Sequence, residues 1–121
     1  MELRFEEWEV LLRATLILLE GNVNSLAVQA YGFFMISGLV SIPTFSFPSA
    51  YLSHLSRALV TSLSTNWDKD SWMVLNCLLL VRSILQDIIE EDSNSLLIVI
   101  RERERATFEW EQLDQDRRAH V

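Results

Sequence analysis

The chain has one lysine, one cysteine, two histidines, two prolines and three glycines in 121 residues. Each scarcity excludes something. The lone Cys77 cannot close an internal disulfide, so no covalent staple is expected, and a reducing compartment, cytoplasm or nucleus, suits the chain. His54, His120 and Cys77 stand too far apart for zinc-ligand spacing. The glycines occur singly at 21, 32 and 38, which leaves no glycine-rich loop to cradle a phosphate. Basic clusters are missing too. With a net charge of −7 and a pI near 4.7, and with Lys69 as the only lysine, the chain lacks the footprint that draws nucleic acid. The N-terminus is acidic where a secretory leader would be basic, so no signal peptide is expected. Charge also disappears locally: from Gly21 to Ser56 there is no Asp, Glu, Lys or Arg.

What the chain does have is leucine at helical spacing. A first helix is expected from about Leu3 to Leu19, with Phe5, Trp8, Leu12, Leu16 and Leu19 on one stripe and Glu9–Arg13 as an i,i+4 pair on the other side. Gly21-Asn22 stops it. A second helix, about Asn24 to Val40 and capped by Asn24 or Ser25, is apolar on every side, as a helix central to a core or inserted in a membrane would be. Gln29, Ser37 and Ser41, and the short run before Pro43, favour the core. The linker Ile42 to Pro48 cannot be helical throughout. In it Phe45 and Phe47 alternate with polar residues, either to plug one end of the core or to anchor a partner.

A third helix from Pro48-Ser49 to about Ser64 carries Leu52, Leu55, Leu59 and Leu63 inward, with Ser53, His54, Ser56, Arg57 and Thr61 expected to face water. Trp67 lies in the connector that follows, placed to fold back or to meet a partner. Asp70 to Asp92 then reads as one central helix with Val74, Leu78, Val81, Leu85 and Ile88 on its stripe, ending near Ile89 with Asp92 or Ser93 capping the next. From about Asn94 a last helix runs unbroken to residue 119. Its apolar stripe thins after Arg101, so residues 101–121 are expected to project. Arg105, Phe108, Trp110 and Leu113 mix arginine with large apolar groups there, the composition of interface centres.

No chemistry stands out. Asp68-Lys69-Asp70 opens like a calcium loop, but Met73 occupies the glycine position and Leu79 the position of the bidentate glutamate. Cys77 sits within an apolar helix, where a thiol is inert. Glu2, Glu6 and Glu9 share a face without the Glu-x-x-His partners of a di-metal bundle. No catalytic, cofactor-binding or metal-binding residue is therefore assigned.

The sequence predicts a single all-α domain over residues 1–121, a compact orthogonal or up-down bundle of about five helices. HEAT or armadillo hairpins are an architectural analogy without any repeat signature. The expected function is a non-enzymatic interaction module (adaptor, assembly factor or inhibitor) whose C-terminal helix contacts another protein or a second copy. The alternatives are a membrane-associated protein inserting residues 24–42, and a slice of a larger α-solenoid whose mark would be an apolar face left bare.

Overall fold

The computed structural model describes residues 5–42 and 45–119, and of Phe5 the backbone alone. The expected start at Leu3, Phe5's place on its stripe, Pro43, Thr44 and His120 lie outside what is described. Five helices follow one another: α1 (Phe5–Gly21), α2 (Leu26–Val40), α3 (Ser49–Asn66), α4 (Ser71–Ile84) and α5 (Glu90–Ala119). Among the described residues there is no strand, and the fold is the small all-helical bundle the leucine spacing predicts.

The chain places its helix starts by side-chain capping. Ser25 Oγ accepts from Val28 N at 3.4 Å, and Asp70 Oδ1 accepts from Trp72 N at 3.0 Å and Met73 N at 3.2 Å. Each satisfies backbone donors that have no partner within the first turn. The end of α1 is closed from outside. Gln29, buried on α2, donates from Nε2 to the carbonyls of Leu19 (3.0 Å) and Asn22 (2.9 Å). A residue that looks like a polar intruder in an apolar helix is the C-terminal clasp of its neighbour.

Contacts along each pair give the directions. Thr15 meets Met35 and Leu19 lies against Gly32, so α1 and α2 are antiparallel. Trp72 meets Tyr31 and Phe34, while Ser83 and Ile84 lie with Val40, so α2 and α4 run the same way. Neighbours round the bundle are α1, α2, α4 and α3, which puts α2 and α3 at opposite corners. Leu12, Leu16, Phe33, Ile36, Leu55, Leu59, Leu63, Met73, Leu80 and Ile84 fill the middle. α5 adds Leu96 to this core from the outer side of α3. Ser53 donates to Asp92 at 2.9 Å, and Arg103 donates to the Ser64 carbonyl, both across a separation of 39 residues. A constant offset means that α3 and α5 lie parallel and in register.

Several expectations are corrected. Asp70 to Asp92 is two helices, because α4 stops at Ile84 and α5 starts at Glu90 rather than Asn94. Between them Leu85 N bonds Val81 O at 3.0 Å and Asp87 N bonds Ile84 O at 2.9 Å, and the chain reverses to bring α5 down along α3. Leu85 and Ile88 still pack on the core through this turn, so their apolar spacing gave no sign of it. Asp92 and Ser93 are inside the first turn of α5 instead of capping it. Three carboxylates there, Glu90, Glu91 and Asp92, sit at the favourable end of the macrodipole. Ser56 is buried, bonding Leu52 O at 2.9 Å, and His54 is half-buried against Glu20; neither simply faces water. α2 is also not enclosed all round: Tyr31, Phe34 and Met35 are exposed.

Gly32 and Gly38 separate two roles of glycine in one helix. A Cβ at Gly32 would lie 2.7 Å from Leu19 Cδ2 and 3.1 Å from its Cγ, whereas at Gly38 nothing lies within 4 Å. Gly38→Ala should raise stability by up to about 1 kcal/mol through helix propensity. In Gly32→Ala that gain is outweighed by roughly 2 kcal/mol of repacking around buried Leu19, so its urea midpoint should fall.

Candidate interaction surfaces

The in-register pairing of α3 and α5 sets the length of chain left over. α3 ends at Asn66, which lies level with about Arg105, so residues 106–119 continue α5 past the end of the bundle. At 1.5 Å per residue this arm extends about 20 Å. Its helix is held by local pairs such as Arg118–Asp114 at 3.0 Å, and from Glu104 on only Asp114 is even half-buried. Phe108, Trp110 and Leu113 are 61%, 62% and 55% exposed. Helical spacing puts Ala106, Trp110 and Leu113 on one side and Phe108 on the other. Where the arm leaves the body, Asp68, Arg103, Ala106, Thr107 and Trp110 line a notch of about 390 Å³. Arg105 is exposed on the side of α5 away from the notch, nearer Phe108.

The remaining candidate residues are placed differently. Phe45 and Phe47 are half-buried on the core, stacked edge to face with centroids 6.0 Å apart, and Phe45 meets Trp8 at 6.4 Å. Trp67 is also half-buried on the core at the end of α3. All three therefore spend much of their apolar surface inside their own subunit, and Phe45 and Phe47 lie at the opposite end of the bundle from the arm. Phe45 and Phe47, with Ser46, Ser49, Leu52 and Asp87, border an open cleft of about 470 Å³ at the far end of the bundle.

A second surface was not visible as such in the sequence. Tyr31, Phe34 and Gly38 on α2, and Trp72, Leu75 and Leu79 on α4, repeat the same i, i+3, i+7 spacing on two helices running the same way. Trp72 joins the two rows, with ring centroids 5.9 Å from Tyr31 and 5.7 Å from Phe34. All five apolar side chains are exposed. α2 contributes no charge, and Arg82 stands one turn beyond Leu79 at the edge. The signal for this face was present in the all-round apolarity of α2, but periodicity could not say which part stays bare.

Chemistry is sparse. Among the described residues no group of three or more His, Cys, Asp or Glu could hold a metal. Burial pushes the Cys77 thiol up to about 12, only partly opposed by a hydrogen bond from Ser62, so it stays protonated and poorly nucleophilic at neutral pH. Among the described residues no helix is long and apolar enough to cross a membrane. α2 has 15 residues and buries Phe33 and Ile36 in the bundle. No protein-family description, curated protein or solved structure matches the chain at a significant level.

Proposed function

We propose that this chain is a non-enzymatic protein–protein interaction module that engages its partner through the projecting end of α5. The observation that carries this reading is the arm itself. Three large apolar side chains are held in water on a helix that has outrun the body able to cover them. The exposed surface of Phe108, Trp110 and Leu113 is not buried within the fold. On a partner the same groups would remove apolar surface from water and provide the aromatic anchor around which binding energy concentrates. An adaptor, assembly factor or inhibitor uses a surface of this kind, and the single buried thiol suits a reducing compartment, cytoplasm or nucleus. The solenoid-slice reading draws support from one observation, the bare face of α2 and α4.

The test is affinity capture with the full chain against a variant carrying Phe108→Ala, Trp110→Ala and Leu113→Ala. Helicity by circular dichroism should stay within a few per cent, because all three side chains are more than half exposed. Captured protein should fall by more than about tenfold, since truncating an aromatic anchor costs about 2 kcal/mol or more. Equal capture by both proteins rejects the arm as the working surface.

A further inference from the structure

Resting on the reading of α5 as a docking arm, we infer that its partner is a second copy of this chain, with each arm seated on the bare α2–α4 face of the other. Two of the exposed apolar features, a ridge and a two-row face, begin at the same end of the bundle, while Val10, Ile17 and Leu18 on α1 form a third. The ridge is Ala106, Trp110 and Leu113 on one side of the arm; the face is Tyr31 and Phe34 beside Trp72, Leu75 and Leu79. Paired rows at i, i+3, i+7 on two helices form the groove into which a third helix packs. The uncharged α2 presents no charge of its own beneath an entering aromatic ridge.

The arm cannot reach this face within its own subunit. It continues straight from a helix fixed in register on α3, and α3 is at the corner opposite α2. A two-fold axis across the arm end of the bundle, perpendicular to the helices, solves this. It carries the α2 corner of one copy beneath the α3–α5 corner of the other, so that both arms run along the opposite subunit. The lengths agree: the arm reaches about 20 Å, and the rows from Trp72 to Leu79 occupy roughly 10 Å starting at that same end of the bundle. The area argues for exchange in both directions. One helix laid on two buries on the order of 1,000 Å² in total, marginal for a specific contact, while two reciprocal seats approach 2,000 Å², the size of a stable dimer. Reciprocal seating also closes, where one-way docking would continue into a filament. A lipid surface is the weaker occupant, because helices that lie on membranes carry Lys and Arg round the apolar face and this one has only Arg82 at its edge.

Sedimentation velocity on four samples tests the exchange: the full chain, a chain ending at Arg105, the full-length Leu75→Glu variant, and an equimolar mixture of the last two. The expected result is a dimer for the full chain, monomers for each altered chain with helicity per residue retained, and a heterodimer in the mixture. There the intact arm of Leu75→Glu meets the intact face of the armless chain, with affinity lower than the full chain's by more than about tenfold. A full chain that is monomeric at every soluble concentration overturns the inference, as does a dimer that survives either alteration. Altered chains that stay monomeric when mixed do the same, and so does flotation of the full chain with neutral phosphatidylcholine vesicles that Leu75→Glu abolishes. A monomer that still captures another protein through Phe108, Trp110 and Leu113 sinks the exchange and leaves the interaction module standing.

Discussion

Phe33→Ala should lower the unfolding free energy by about 3–5 kcal/mol, a loss that removes most of a small domain's margin. Phe33 is wholly buried at the middle of α2, the helix with neighbours on both sides in α1 and α4. Its ring is the largest enclosed side chain, and the groups around it are fixed by two antiparallel or parallel partners that cannot both close in. The substitution therefore loses the transfer of the ring out of water and also leaves a cavity. Urea unfolding followed by far-ultraviolet circular dichroism reads the change as a drop in midpoint at constant slope. Phe34→Ala, one position along and exposed, is the internal control and should change stability by less than about 1 kcal/mol. Equal losses at the two positions would mean that α2 is not oriented as described.

Gln29→Leu should cost about 2–4 kcal/mol although it puts a better apolar group in a buried position. The amide holds the Leu19 and Asn22 carbonyls at the end of α1, and leucine leaves both without that donor. Asn66→Leu gives the comparison that isolates this effect. Asn66 is equally buried and donates to Val23 O at 2.8 Å, but its own Oδ1 has no partner, so leucine removes an unsatisfied acceptor together with one bond. The loss at Asn66 should be the smaller of the two, measured by the same urea titration.

The reach of sequence reasoning differs from one element to the next for physical reasons. α1 and α3 are legible because leucines fall on one side and polar groups on the other, and Leu12, Leu16, Leu19, Leu55, Leu59 and Leu63 are buried as their spacing requires. Starts at Ser25 and Asp70 are legible because caps are local chemistry. The turn at 85–89 is not. Neither glycine nor proline occurs after Pro48, so helix propensity alone never marks a break, and the reversal is decided by where α5 must lie. Leu75 and Leu79 sit among the buried leucines and valines of α4, yet they are exposed. A helix that is apolar on three sides in a four-cornered bundle has one side too many, and only the arrangement of corners decides which is bare. The arm was readable because an apolar stripe that thins over strong helix formers has nothing to pack on, and the parallel register of α3 and α5 then fixed where it begins.

That register has a bearing on the order in which the molecule assembles. A parallel neighbour 39 residues downstream cannot dock until the intervening α4 has been laid down and the chain has doubled back. As the polypeptide leaves the ribosome, the outer flank of α3 and the pocket awaiting Leu96 stay open until α5 has emerged and docked. The nascent protein is thus most exposed to wrong company between the completion of α4 and the docking of α5, and the segment that ends this vulnerable interval is the same helix whose far end becomes the arm.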